Sequence, residues 1–141
     1  MRFSTLTILI LATTTLFGQT VQKCDETILR WTGEKVGSLT QREITDFLLT
    51  FGEECRKNAE YSEWSNKLLF SILDKQTELI IKTIEKEEKR IEIKEILDDL
   101  SSPILDPSIK DIISKIEKVK IKKELKDKII ERLKTADGKT N

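Results

Sequence analysis

The chain has 141 residues, of which 35% are charged and 38% apolar, and its 25 basic and 25 acidic side chains leave a formal net charge of zero. This apolar fraction is too high for a disordered chain, and five glycines and two prolines are too few for a turn-rich all-β fold. Because no histidine is present, histidine acid–base catalysis and histidine-ligated metals are excluded.

Residues 1–19 are predicted to be a secretory signal peptide. An apolar stretch runs from Leu6 to Phe17, and the small residues Gly18 and Thr20 follow it. The stretch has about 12 residues, whereas a membrane-spanning helix needs roughly 20. We therefore expect cleavage near residues 18–20, no stable membrane insertion afterwards, and a periplasmic or secreted protein. The bias toward Ile, Lys and Glu suggests a bacterial source.

Export changes how the two cysteines, Cys24 and Cys55, are interpreted. In an oxidising compartment an even pair usually forms a disulfide, and two free, buried thiols are the alternative. Closing a loop of about 30 residues stabilises the fold by roughly 3–4 kcal/mol in the chain-entropy model. Two thiols cannot complete a four-coordinate metal site, so no metal is expected.

Two helices are predicted before the central one. Residues 23–32 can form a short helix. Thr40-Gln41-Arg42-Glu43 is a capping-box sequence. The helix that the box opens carries apolar residues on one face, namely Ile44, Phe47, Leu48 and Phe51. Gly52 is expected to interrupt or end it, and Cys55 is expected in a short turn of helix beyond.

The stretch from Trp64 to Ile84 is the most apolar one outside the N-terminus. Between Trp64 and Leu73 apolar residues cover more than one helical face, which predicts a central helix with neighbours on several sides. Ser62 is the expected cap of this helix. A polar gap at 74–77 predicts a break, with Thr77 capping the second piece.

Further helices are predicted after a turn rich in charges. Ile91 and Ile93 fit the start of one helix. Asp106-Pro107 predicts another, with Asp106 as N-cap. Apolar residues at helical spacing follow, namely Ile109, Ile112, Ile113 and Ile116. A shift of phase at 119–121 predicts a kink or a new helix, and residues 135–141 are expected to be a disordered tail.

Two pairs of segments resemble each other. Residues 80–86 match 112–118, and residues 90–94 match 118–122. They fit two helical hairpins of one kind, as in a short α-solenoid. The alternative is that any two amphipathic segments built from Ile, Lys and Glu look alike.

The sequence offers few candidates for a functional site. It has no nucleophile elbow, phosphate-binding loop or dinucleotide-binding motif, so we expect neither an enzyme nor a cofactor. Trp31 and Trp64 are candidates for a ligand or partner surface, with burial in the core as the alternative. Lys120, Lys122 and Lys123 form a basic cluster, whose alternative is a solvated face. No aromatic residue stands near them to stack on a base, so no nucleic acid is expected.

The sequence therefore predicts an all-α fold. A single domain at residues 20–134 should form a compact bundle, or a short solenoid-like array, of five to seven short helices. Its expected role is that of an exported, non-enzymatic binding or structural protein with an unknown protein partner. The alternative is a carrier that holds a lipid or another small apolar ligand between its helices.

Overall fold

The computed structural model describes residues 20–138, which form seven α-helices and contain no β-strand. The helices are α1 (Glu26–Lys35), α2 (Gln41–Leu49), α3 (Ala59–Lys75), α4 (Thr77–Glu87), α5 (Ile93–Leu100), α6 (Ile109–Glu117) and α7 (Lys123–Asp137), and a 3-10 helix (Glu53–Lys57) lies between α2 and α3. The predicted all-α fold is confirmed. The predicted signal peptide lies outside the described residues. Within the described part, no helix combines the length and apolar character needed to cross a bilayer.

Side-chain caps set where the first two helices begin. Asp25 Oδ1 accepts hydrogen bonds from the Thr27 and Ile28 amides over 2.9 and 3.2 Å, so α1 begins at Glu26, later than predicted. The predicted capping box of α2 is confirmed. Thr40 Oγ1 accepts from the Glu43 amide over 3.3 Å, and Glu43 Oε2 accepts from the Thr40 amide over 2.6 Å.

The predicted caps of the central pair of helices are wrong. Helix α3 begins earlier, after Asn58, whose Oδ1 accepts from the Tyr61 amide over 3.0 Å. Ser62 lies inside the first turn of α3 and donates to the Cys55 carbonyl over 3.0 Å. The break that ends α3 falls at Gln76, as the polar gap predicts. Thr77, however, is the first residue of α4, and its hydroxyl donates back to the Leu73 carbonyl of α3 instead of capping α4.

The cap predicted for α6 is also wrong. The first intrahelical bond runs from the Ile112 amide to the Ser108 carbonyl over 3.0 Å, which makes Ser108 the N-cap. Asp106 is exposed, two residues before this cap. The apolar spacing that opens at Ile109 is confirmed as the buried face of α6.

Helix α3 lies at the centre of the fold. It packs against α1, α4, α5 and the 3-10 helix, as its apolar residues on several faces predict. Its large buried side chains are Tyr61, Leu68, Leu69, Phe70, Ile72 and Leu73. One continuous core therefore surrounds this helix.

The second half of the fold is a layered array. Helix α4 packs between α2 and α6, and α5 and α6 both pack on α7. The similar segments noted in the sequence fall on α4 and α6, and five-residue connections follow both helices, at 88–92 and 118–122. Like helices therefore pack on each other, as they do in a solenoid. The pair α6 and α7 packs more closely than α4 and α5, and true repetition stays a prediction.

The last helix is longer than predicted. Helix α7 continues to Asp137, past the predicted domain boundary at residue 134, and Ala136 is buried in the core. Residues 139–141, the rest of the expected tail, lie outside the described range.

Candidate functional site

The predicted disulfide is confirmed. Cys24 and Cys55 are bonded, with their Cα atoms 5.4 Å apart. Cys24 has a left-handed backbone with φ of 59°, and its amide donates to the Thr50 carbonyl over 2.8 Å. The bridge therefore joins the segment that leads into α1, two residues before its start, to the 3-10 helix that follows α2.

Trp31 is half-buried on α1 and packs against the core. The Lys35 ammonium lies 4.5 Å from the centre of its ring. The same ammonium donates to Glu43 Oε1 over 2.9 Å. The bonds from the Thr40 amide and from Lys35 lower the pKa of Glu43 to about 2. The ring is thus covered by a cation that the capping box holds, so this side of Trp31 is not an open platform.

Trp64 is half-buried on α3 and borders a shallow cavity of about 250 Å³. The other lining residues are Glu60, Glu63 and Lys67, and the Lys67 ammonium donates to the Glu63 carboxylate. Because three of the four lining side chains are charged, the cavity does not suit an apolar ligand.

The predicted lysine cluster lies at the start of α7, with Lys120 and Lys122 in the α6–α7 connection and Lys123 as the first residue of α7, and all three residues are exposed. Two carboxylates face this connection, that of Glu85 on α4 and that of Glu88, which directly follows α4. The Lys122 amide donates to Glu85 Oε1 over 2.6 Å, and Lys122 Nζ lies 3.8 Å from Glu88 Oε2. Part of the positive charge is therefore compensated locally. Trp31, Trp64 and this cluster lie on three different elements of the fold.

The α5–α6 connection carries a feature that the sequence analysis missed. Ile104 and Leu105 are 49% and 53% exposed, and no other large hydrophobic residue in the described range is exposed. We call this pair the Ile104–Leu105 tip. The sequence signal was an apolar pair between two prolines, Pro103 and Pro107, at a clear break in helical periodicity.

Asn66 holds the tip in place. This side chain belongs to α3, and the residue is only 3% exposed. Its Nδ2 donates to the carbonyls of Asp99 and Ser102 over 3.2 and 3.3 Å, and its Oδ1 accepts from the Ile104 amide over 3.0 Å. Each flanking proline also restricts its own φ angle. The backbone that leads into the tip is therefore tied to α3 as far as the Ile104 amide.

An ionic network is built on two carboxylates of α5, the helix that precedes the tip. Arg56 of the 3-10 helix donates to Glu95 Oε2 over 2.5 Å and to Asp98 Oδ2 over 2.7 Å. Lys94 Nζ lies 2.8 Å from Asp98 Oδ2, and Arg132 Nη1 lies 3.7 Å from Asp98 Oδ1. The bonds from Lys94 and Arg56 lower the pKa of Asp98. The network joins the 3-10 helix, α5 and α7.

Asp99, the residue after Asp98, has a pKa shifted in the opposite direction. Its pKa is raised to about 6, chiefly by burial, with Arg56 opposing the shift and the neighbouring Glu95 and Asp98 adding to it. Its backbone carbonyl is one of the groups that Asn66 binds. A carboxyl group whose charged form is disfavoured thus lies near the end of α5, before the connection that carries the tip.

A second cavity is lined mostly by residues with polar or charged side chains. It has a volume of about 620 Å³ and lies where α3, α4 and α6 meet. Lys115 of α6 crosses it and donates to the carbonyl and the Oδ1 of Asp74 over 2.8 and 2.7 Å. Only Leu79 and Val119 among its nine lining residues are apolar. Within residues 20–138, moreover, no group of three or more acidic or cysteine side chains is arranged to hold a metal ion.

Comparison of the chain with protein-family models, with curated proteins and with solved structures finds no match. Any function must therefore be inferred from the surface and the interior of the described residues. Of these surface features, the Ile104–Leu105 tip is the one that combines exposed large apolar side chains with hydrogen bonds from its backbone to a buried side chain.

Proposed function

We propose that this protein is an exported, non-enzymatic binding protein that docks a partner protein through the Ile104–Leu105 tip. The observation that supports the proposal is the hold of Asn66 on the tip. Two large apolar side chains stay in contact with water, and three hydrogen bonds between the buried Asn66 side chain and the backbone tie the segment that leads into them, up to the Ile104 amide, to α3. A preorganised apolar anchor loses little conformational entropy when it enters a partner's pocket.

The interior favours this proposal over the carrier of a lipid or another small apolar ligand. Side chains at the centre of the helical layers are fully buried, among them Phe47, Leu69, Ile80 and Ile96. The cavities beside Trp64 and between α3, α4 and α6 are open to solvent, and most of their lining residues are of polar or charged type. A site for an apolar ligand would instead be lined mainly by apolar side chains.

The compartment belongs to the same proposal. Disulfides persist mainly in oxidising environments such as the bacterial periplasm and the extracellular space. The Cys24–Cys55 bond thus supports a periplasmic or extracellular location, reached after removal of a signal peptide.

Site-specific photo-crosslinking in the cells that make the protein tests the docking role. Benzoylphenylalanine is placed at Leu105, and the matched control carries it at Lys128, an exposed position on α7. We expect one discrete crosslinked protein from Leu105 and none from Lys128. No crosslink from Leu105, or equal crosslinking from both positions, would contradict docking through the tip. Native mass spectrometry tests the carrier, because a bound ligand would add mass that is lost on denaturation.

A further inference from the structure

Two aspartates lie in the last turn of α5, and this turn contains no basic residue. A helix C-terminus carries a partial negative charge, which disfavours carboxylates there. Asp98 is compensated, because Arg56 and Lys94 bind its carboxylate over 2.7 and 2.8 Å. Asp99 is half-buried, and within residues 20–138 its carboxyl group makes no hydrogen bond or ion pair. The end of α5 therefore contains one carboxyl group that is paired and one that is not.

The groups around Asp99 favour its neutral form. Those with charged or titratable side chains are Arg56 of the 3-10 helix, Tyr61 of α3, Lys94, Glu95 and Asp98 of α5, and Arg132 of α7. Arg56 attracts a charged Asp99, but the same guanidinium already binds two other carboxylates of α5. Those two carboxylates repel a charged Asp99. Burial raises the pKa of Tyr61 to about 12, so its hydroxyl group stays neutral beside Asp99 at any pH below that value.

The backbone of Asp99 takes part in the hold on the Ile104–Leu105 tip. Its carbonyl accepts hydrogen bonds from Asn66 Nδ2 over 3.2 Å and from the Ser102 amide over 3.1 Å. Asn66 also binds the Ser102 carbonyl and the Ile104 amide, and we call its three bonds the Asn66 clasp. The carboxyl group and the carbonyl of Asp99 belong to one residue. A movement that brings this carboxyl group into water therefore also displaces one of the carbonyls that the clasp binds.

We propose that the Asn66 clasp is sensitive to pH: it is closed while Asp99 is protonated and opens more often once Asp99 is ionised. Opening brings the charged carboxyl group into water, where it no longer faces Glu95 and Asp98. Any effect on partner binding rests on the proposed docking function, whereas the clasp itself does not depend on it.

Proton linkage gives the direction of the effect. Burial raises the pKa of Asp99 to about 6 in the closed state, and in an opened segment the carboxyl group returns to its ordinary 3.8. The closed state therefore binds the proton more tightly, and opening becomes more frequent as the pH rises from about 4 to about 6. From the two pKa values we expect the open population to grow about tenfold between about pH 5 and about pH 7. The chain contains no histidine, so no imidazole titrates in this range.

Amide hydrogen exchange at Ile104 measures the opening in the intact, disulfide-bonded protein. The protection factor divides the intrinsic exchange rate by the observed rate, so it removes the pH dependence of exchange itself. We expect the protection of Ile104 to fall about tenfold from about pH 5 to about pH 7. The Leu39 amide, which Gln76 binds at the α1–α2 connection, is the reference and should change by less than about threefold.

Two variants identify the titrating group. D99N keeps the side chain neutral, so the protection of Ile104 should be high at both pH values. D106N removes an exposed carboxylate next to Leu105 and should retain the tenfold fall. Protection in the parent that does not change with pH, a fall that persists in D99N, or an equal fall at Leu39 would overturn the proposal.

Photo-crosslinking from Leu105 separates the clasp from the docking function. A crosslink together with pH-independent protection of Ile104 overturns the clasp and leaves docking in place. Protection of Ile104 that falls with pH as expected, without any crosslink, supports the clasp and contradicts docking.

Discussion

The side-chain amide of Gln76 pairs with both backbone groups of Leu39. Its Nε2 donates to the Leu39 carbonyl over 2.9 Å, and its Oε1 accepts from the Leu39 amide over 3.0 Å. The pair joins the α1–α2 connection to the break between α3 and α4. A carboxamide donates through its nitrogen and accepts through its oxygen, which an ionised glutamate of nearly the same shape cannot do.

Gln76→Ala should destabilise the fold. The substitution leaves the amide and the carbonyl of the buried Leu39 without their partners, and such a loss costs about 1–3 kcal/mol. We expect a fall of about 2 kcal/mol in the free energy of unfolding, measured by urea denaturation. Gln22→Ala, at an exposed position, is the control and should stay within about 0.5 kcal/mol of the parent. A Gln76→Ala protein as stable as the Gln22→Ala protein would show that water replaces the pair.

Removal of the disulfide should have a larger effect. The bond closes a loop with a sequence separation of 31, which corresponds to about 3–4 kcal/mol in the chain-entropy model. The double variant C24A/C55A should lose this much free energy of unfolding. Reductant should lower the stability of the parent to a similar degree and leave the variant unchanged. Loss of stability in the variant together with an unresponsive parent would mean that the alanines, rather than the open loop, cause the effect.

Asp99 should make stability fall as the pH rises. Burial raises its folded pKa to about 6 from an ordinary value of 3.8, so the folded state holds the proton more tightly than the unfolded state. This contribution is fully present below about pH 4 and is lost as the pH rises through about 6. At pH 7, Asp99→Asn should therefore be more stable than the parent by up to about 3 kcal/mol.

Urea denaturation between about pH 3.5 and about pH 7.5 tests the role of Asp99, with the exposed Asp106→Asn variant as control. The gain in Asp99→Asn should shrink toward zero at the acidic end. Glu43 acts in the opposite direction in every variant, because its lowered pKa costs stability as the pH falls below its ordinary 4.5 toward about 2. A stability gain that is the same at all pH values would exclude titration of Asp99 as its cause.

Asn66→Ala should release the tip as well as destabilise the fold. The variant loses three hydrogen bonds in a buried environment, for which we expect about 2–3 kcal/mol. Amide hydrogen exchange at Ile104 should also accelerate well beyond the global change. I104S/L105S is the matched control, since its side chains are exposed and its stability should change by no more than about 0.5 kcal/mol. Unchanged exchange at Ile104 in Asn66→Ala would show that the prolines alone hold the tip.

Local signals in the sequence were sufficient for much of the fold. The capping box at Thr40 and Glu43 involves residues three apart, and the face that contains Ile44 follows from helical periodicity. The caps at Ser62 and Asp106 were wrong because several capping residues stand close together there, and local propensity alone could not select among them. The 3-10 helix before Asn58 lets α3 begin one turn earlier than Ser62 would allow.

The candidate site could not be predicted, because it depends on contacts between residues that are far apart in the sequence. Exposure of Ile104 depends on Asn66, which stands 38 residues earlier in the chain, and no local pattern connects the two. The lysine cluster was visible as composition, but the carboxylates that oppose Lys122 come from α4 and the residue after it, 37 residues earlier in the case of Glu85. Long-range contacts of this kind decide which surface groups remain available to a partner.

The Cys24–Cys55 bridge also determines what a single backbone cut can do. It encloses α1 and α2 in a covalent ring, and the exposed residues Gly37 and Ser38 lie inside that ring. A peptidase that hydrolyses the bond between them would leave one molecule, heavier by one water and separable into two chains only by reduction. The paired groups of Leu39 and Gln76 lie beside the new end and would hold it in place. A nicked chain could therefore remain folded.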